Sequence, residues 1–285
     1  MCMLFFSIDT NPSKNGYKLI LASVRDEYFK RPTRACCIWP QNSDIIGGQD
    51  LEPNREGGTW LAMNKRSGKI GVLLNVFQPG KLRDDAKGRG KLVTDYLIID
   101  DDEQYMENII KSRSEYNGFT LVLISLSPCI KATYLNNIAS DDIVSLDSGV
   151  HAFGNSENPQ KPWAKINYGK SQFIQILKKF PTTNTQDRMV EAIFSMLSDR
   201  TRLPSDRTLL EQAGESLDFA ENLNALFVEI PTRGYGTRTW TVIIVDGNNN
   251  ALFHEKTRKD PIICSPEKVS SEWVENKFRF EIKGR

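Results

Sequence analysis

Apolar residues recur along this chain in two rhythms. Near-continuous or alternating runs predict strands. The segment 3–8, MLFFSI, is almost wholly apolar, as in a strand buried on both faces. NPSKNG (11–16) follows with a Pro and an Asn-Gly turn signal, then YKLILAS (17–23), so the two runs form an antiparallel hairpin. TWLAMN (59–64) and KIGVLLNVF (69–77), joined by KRSG, predict a second hairpin, and GFTLVLIS (118–125) with KATYLNN (131–137) a third. DIVSLDSGVHAFGNS (142–156) holds two short extended pieces around Gly149. NALFVEIP (224–231), RTWTVIIVD (238–246), ALFHEKT (251–257) and KFRFEIK (277–283) read as later strands, with DGNNN (246–250) as a turn.

The second rhythm has a period near 3.6. It predicts helices over 88–98, 101–113, 162–180 and 185–198. Ile166, Phe173, Leu177 and Phe180 share one face, as do Met189, Ile193, Phe194 and Leu197. The stretch 199–222, rich in Ser, Asp, Glu and Arg, reads as an exposed excursion. Strands follow strands with few helices between, which predicts α+β organisation with antiparallel sheets rather than βαβ units. No repeat or linker divides the chain, so residues 1–285 are expected to form one domain.

Composition narrows the function classes. The chain carries 37 basic and 36 acidic residues, a formal charge of +1, so no basic excess points to nucleic acid. Apolar runs such as LVLISL are too short to span a bilayer, and no transmembrane segment is expected. MCMLFFSID lacks a basic n-region and is broken by Asp9, unlike a secretory signal. Five scattered cysteines do not make a disulfide scaffold, which suits free thiols in a reducing compartment. With two histidines, His151 and His254, and no CxxC, no metal site is expected.

Cys2 is the first candidate for chemistry. It is small enough for an aminopeptidase to remove Met1, which would leave a thiol and an α-amine on one residue. An α-amine titrates near ~7.7–8.0 and can act as the thiol's base. The other reading is a buried strand that begins at Cys2. A hairpin turn centred at 12–13 puts Ile8 opposite Tyr17 and Cys2 opposite about Ser23, with VRDE (24–27) alongside. Arg25 could then hold the thiol as thiolate, and Asp26 could bind the α-ammonium. A surface ion cluster at a strand end would give the same pattern. His254, in an alternating strand among charged neighbours, reads as solvated.

MCMLFF…ILASVRDEYFKRP, EGGTWLAMN, GVLLNVFQP, GRGKLV, YNGFTLV and GYGTRTWTVIIVD, in this order, resemble the NRDE family, the transport and Golgi organisation protein 2 family. Val24 stands where that family has Asn, while Arg25, Asp26 and Glu27 fit. The family is similar to the N-terminal nucleophile hydrolases, so the resemblance implies a four-layer αββα sandwich of two antiparallel sheets. It implies a catalytic set of Cys2, Arg25, Asp26, Asn75, Asn155 and Arg238, with Asn75 and Asn155 as oxyanion donors. The Arg25–Asp26 spacing is tighter than in those hydrolases. Taken alone, without the resemblance, both asparagines read as caps of strand ends.

The resemblance also implies intracellular heme trafficking. Heme would be cargo rather than a catalytic cofactor, and heme-accepting proteins would be partners. Its binding set would be Cys2 or His151 as a weak axial ligand, with Arg25 and Arg238 for the propionates. The alternatives are a cysteine amidohydrolase or acyltransferase, and an acyl-CoA or lipid-binding protein. A cytoplasmic location, with association to mitochondria or Golgi, is the matching expectation.

Overall fold

A computed structural model describes residues 2–140, 142–204, 206–214 and 217–284. In chain order the first half comprises β1 (Cys2–Ile8), β2 (Tyr17–Tyr28), β3 (Thr33–Trp39), β4 (Asn42–Asp50), β5 (Leu61–Asn64), β6 (Lys69–Asn75), α1 (Lys91–Ile98), α2 (Asp102–Ser112), β7 (Phe119–Ser125) and β8 (Lys131–Asn136). There follow β9 (Val144–Leu146), β10 (Gly149–Phe153), α3 (Ala164–Lys179), α4 (Gln186–Leu197), α5 (Arg207–Ala213), α6 (Leu217–Glu221) and β11 (Glu229–Ile230). The chain closes with β12 (Tyr235–Asp246), β13 (Asn250–Arg258), β14 (Ile263–Cys264), β15 (Val269–Ser270) and β16 (Trp273–Glu281).

Among the described residues the strands build two large antiparallel sheets and a small β14–β15 ladder. The first sheet runs β10-β1-β2-β12-β13-β16, with β11 added beside β12, and the second runs β3 to β9 in sequence order. Gly149 lies where the chain leaves one sheet for the other: β9 pairs with β8, and β10 with β1.

Period-two alternation gives each strand two faces, and both faces of both sheets are used. Leu4, Phe6, Leu21, Ile243 and Phe253 of the first sheet pack with Ile46, Val72, Leu74, Val122 and Ile124 of the second. The opposite face of the first sheet, with Met3, Phe5, Val242 and Ile244, packs on Trp163, Ile166 and Phe173 of the α3 region and Met189 and Ile193 of α4. The opposite face of the second, with Ile45, Leu73, Leu121 and Leu123, packs on Leu92, Val93 and Tyr96 of α1 and Ile109 of α2. Gly71 permits the last contact, because a Cβ there would stand 2.9 Å from Val93 Cγ1.

Several expectations are corrected. The hairpin register is two residues away from the expected one: Ile8 faces Leu19 and Cys2 faces Arg25. A shift of two keeps every side chain on its face, so the apolar pattern is blind to it. Residues 33–50 form β3 and β4, which their interspersed polar residues disguised. In the stretch 224–231, β11 (Glu229–Ile230) is the strand; Phe227 N–H instead donates to Asp199 O and Val228 N–H to Thr237 Oγ1. The stretch 199–222 is not an exposed excursion. It contains α5 and α6, which bury Leu209, Ala213 and Ala220 in the helix-side core.

Candidate functional site

Cys2 opens β1 at the end of the first sheet where β2 and β12 run on past it. It is 9 % exposed. Its backbone N–H donates to Asn155 Oδ1 at 3.0 Å, and Asn155 Nδ2 donates to Asn75 O at 2.6 Å. One fully buried carboxamide therefore ties the head of β1 to the end of β6. Asn155 was expected as an oxyanion donor; here its Oδ1 takes the Cys2 N–H and one of its two Nδ2 hydrogens goes to Asn75 O.

Directly opposite Cys2, Arg25 lies over the Trp60 ring, with Cζ 4.3 Å from the centroid, and donates to Thr33 Oγ1 at 3.1 Å. Glu27 stands 3.9 Å from it. Burial alone would raise the Glu27 carboxyl, but Arg25 and Arg31 outweigh it and hold the group below the usual range. Asp26 is 1 % exposed, and strand alternation turns it to the other face. There Thr237 Oγ1 donates to its Oδ1 at 2.7 Å, and Tyr235 donates to its carbonyl at 3.1 Å. Burial pushes Asp26 upward against the pull of Lys165, itself buried on α3 and lowered by burial.

Cys2, Arg25, Asp26 and Asn75 line one cavity of about 500 Å³, a volume suited to a small ligand. Its walls are largely charged. Arg31, Arg55, Lys87, Arg89 and Lys91 join Arg25, with the acidic residues Glu27, Asp50 and Asp95 beside them, while Asp26 turns its own carboxylate to the other face of β2. Arg31 is matched by Asp50, whose carboxylate it meets at 2.6 Å. Arg89 instead donates to Gly118 O at 2.7 Å, and burial with the neighbouring Arg31 and Arg55 lowers it to about 10. The wall closes where two glycine segments cross: Thr59 N–H donates to Gly90 O at 3.2 Å, and a Cβ on Gly58 would sit 3.0 Å from Gly90 Cα.

The family model for Transport and Golgi organisation 2 matches residues 1–260. The chain is 36% identical over 266 residues to Transport and Golgi organization protein 2 of Drosophila melanogaster, covering 90% of this chain and 92% of that one. It is 33% identical over 288 residues to the Homo sapiens Transport and Golgi organization protein 2 homolog, covering 99% and 100%. This chain belongs to the Transport and Golgi organisation 2 family.

The other residues expected at the site of this family member lie elsewhere. Arg238 does not line the cavity. It is the extra residue of a β-bulge between Thr237 and Thr239, where β12 slips against β2. The bulge sends its guanidinium to Asp260 at 2.5 Å and to the carbonyls of Tyr28 and Arg31. His151 pairs with Phe6, four residues along β1 from Cys2, or about 13 Å at strand rise. Its Nε2 meets Asp147 O at 2.8 Å and its ring lies 5.2 Å from that of Phe6. His254 is buried rather than solvated, meeting Glu275 at 2.5 Å.

Burial works against the expected thiolate: it pushes the Cys2 thiol up, while the chain's N-terminal amine and then Arg25 pull it down. A neutral thiol needs a base, not a cation alone. Sequence reasoning passed over Arg55, Arg89 and Lys91, and it read Trp60 as a packed indole rather than part of a ligand platform. Their signal was the pair of glycine-and-cation stretches, REGGTW and KGRGK, which bring little side-chain bulk and much positive charge to the cavity wall. Among the described residues, no helix is long and apolar enough to cross a membrane.

Proposed function

We propose that this protein is a Cys2-dependent hydrolase or acyltransferase that acts on anionic acyl substrates once Met1 has been removed. The observation that carries the reading is the Cys2 N–H···Asn155 Oδ1 hydrogen bond at the wall of a cation-rich cavity. The atom held in that bond becomes the α-amine on removal of Met1. A base is then held on the nucleophile's own residue, as the raised thiol requires. The helix–sheet–sheet–helix packing supports kinship with the N-terminal nucleophile hydrolases.

The α-amine takes the Cys2 thiol proton, and Sγ attacks the acyl carbonyl. Asn75 offers a donor to the oxyanion. Collapse breaks the bond to the leaving amine or thiol, which takes its proton from the α-ammonium. Water, or a second nucleophile, then gives a proton to the α-amine as it attacks the Cys2 thioester; collapse breaks the C–S bond and Sγ takes that proton back from the α-ammonium, restoring the thiol. Arg55, Arg89 and Lys91 hold the anionic part of the substrate. An acyl-CoA combines an anionic carrier with an acyl thioester and belongs to this class. The names of the relatives suggest transport and Golgi organisation as the process served.

Heme carriage is the second reading, favoured by the same cations, which suit two propionates. Against it stand the charged walls, where Trp60 and Leu73 offer limited apolar area for a macrocycle, and the positions of His151 and Arg238. One set of measurements separates the two. The mature N-terminus is read by mass spectrometry, and the protein is treated with acyl thioesters and amides. Loss of Met1 and an acyl adduct on Cys2, absent in Cys2→Ala, are expected. Heme transfer to an apo-acceptor with retained Met1 and no adduct would overturn the enzyme.

A further inference from the structure

The segment 206–223, none of whose described residues lines the cavity, contributes a side chain behind its wall. Gln212, on α5, places its carboxamide behind the wall that carries both asparagines. Nε2 donates to Phe77 O at 2.6 Å and to Asn155 O at 2.9 Å, while Oε1 accepts from Trp163 Nε1 at 3.0 Å. Phe77 N–H donates to the same Asn155 carbonyl at 2.9 Å. Gln212 therefore joins the strand-end loop after Asn75 to the loop that carries Asn155. The Asn155 side chain continues the chain of bonds to Cys2 N and Asn75 O.

We infer that Gln212 is the positioning residue of this site: it holds Asn155, and through Asn155 the amine of Cys2, in the geometry that proton transfer requires. Both of its N–H donors and its carbonyl oxygen are used, directed at the loop after β6 (Phe77) and at two points of the β10–α3 loop (Asn155 and Trp163). Asp206 supports the placement. It caps α5 by accepting from Leu209 N–H and also accepts from Ala164 N–H at the start of α3, so α5 is fixed at its own N-terminus against the helix that carries Lys165. The inference rests on Cys2 being the nucleophile. Its structural half, that Gln212 holds the Asn155 loop, can be tested without turnover.

Gln212→Glu preserves shape and the acceptor for Trp163 but loses both donors when ionised. Gln212→Met removes all three bonds and guards against an effect peculiar to the new charge. Both variants are compared with wild type in the full chain. Amide hydrogen exchange should quicken in peptides spanning 75–78 and 153–157, with the β7–β8 hairpin unchanged. In acyl hydrolysis, kcat should fall roughly 10- to 100-fold, since a misplacement of about 1 Å has that order of effect, with KM within about threefold. For Gln212→Glu the ratio of kcat to wild type should recover as pH falls, because the neutral carboxyl regains one O–H donor. A role in folding alone would not give that recovery. Unchanged exchange at 75–78 and 153–157, or unchanged kcat in the folded variants, overturns the inference. If wild type shows no hydrolysis that Cys2→Ala removes, the enzymatic reading falls instead, and exchange alone decides whether Gln212 holds Asn155.

Discussion

The two ends of the layer between the large sheets are built on the same strands and treat burial in opposite ways. At the far end β1, β2, β12 and β13 contribute Phe6, Leu21, Ile243 and Phe253, all fully buried and apolar. At the Cys2 end the same faces contribute Arg25, Thr239, Thr241, Glu255 and Thr257, each 4 % exposed or less. The polar end is knitted together: Cys36 N–H donates to Glu255 Oε1 at 2.6 Å, and Thr239 and Thr257 share a 2.6 Å hydrogen bond. Depth is equal, but the far end gains stability from every side chain while the near end must desolvate charges. A fold that needed only to be stable has no reason to put an arginine and a glutamate where leucines fit. The difference marks the end to which the proposed chemistry is assigned.

The largest effect expected is a clean division between the ends. Cys2→Ala still permits removal of Met1 and should lower acyl hydrolysis by about a thousandfold or more while leaving the denaturation midpoint nearly unchanged. Phe6→Ala should do the reverse, destabilising by about 3–5 kcal/mol through a cavity, with kcat of the surviving folded protein little altered. Paired urea denaturation and kinetics check both. If Cys2→Ala unfolds the protein and spares hydrolysis, the comparison fails.

Arg238→Ala comes next. It leaves Asp260 and the carbonyls of Tyr28 and Arg31 without their cation. A loss of about 2–4 kcal/mol is expected, read by denaturation, with no direct effect on substrate affinity because Arg238 lies off the cavity. A raised KM at unchanged stability would return Arg238 to the site.

Glu255 gives a pH signature. Burial pushes its carboxyl up to about 7, although Cys36 N–H and Arg25 pull the other way. The unfolded group ionises near ~4.3. Between those values the folded state holds the extra proton, so stability is fullest below about 4.3 and declines as pH rises toward 7. The total decline is about 4 kcal/mol. Glu255→Gln keeps an acceptor for Cys36 and should remove that slope in urea denaturation between pH 4 and 8. A slope that persists in Glu255→Gln would assign it to another group.

The smallest effect is at His151. Its contacts are with Asp147 O and the Phe6 ring, away from Cys2. His151→Ala should leave hydrolysis and heme transfer within about twofold and cost about 1 kcal/mol or less. A large loss of heme transfer would restore it as an axial ligand.

The sequence by itself determined most of the elements. Strands such as MLFFSI and KIGVLLNVF, and helices such as 185–198, declare themselves because burial demands apolar residues at the period of the local structure. It also determined Cys2, Arg25, Asp26 and Asn75 as candidates, since they are polar or reactive groups at the edges of apolar runs or in motifs of a recognisable family. Tertiary structure alone decided what these residues touch. The register of β1 against β2 depends on loop geometry, and a slip of two residues leaves the apolar pattern unchanged while moving Arg25 opposite Cys2. The bulge at Arg238 is a mismatch between two strands and has no existence in either one. Gln212, in a polar stretch with no apolar period to place it, reaches Asn155 across 57 residues and Phe77 across 135. Patterning reports which face of an element is buried. Which buried groups meet is a property of the packed elements together, set by contacts that carry no local signal.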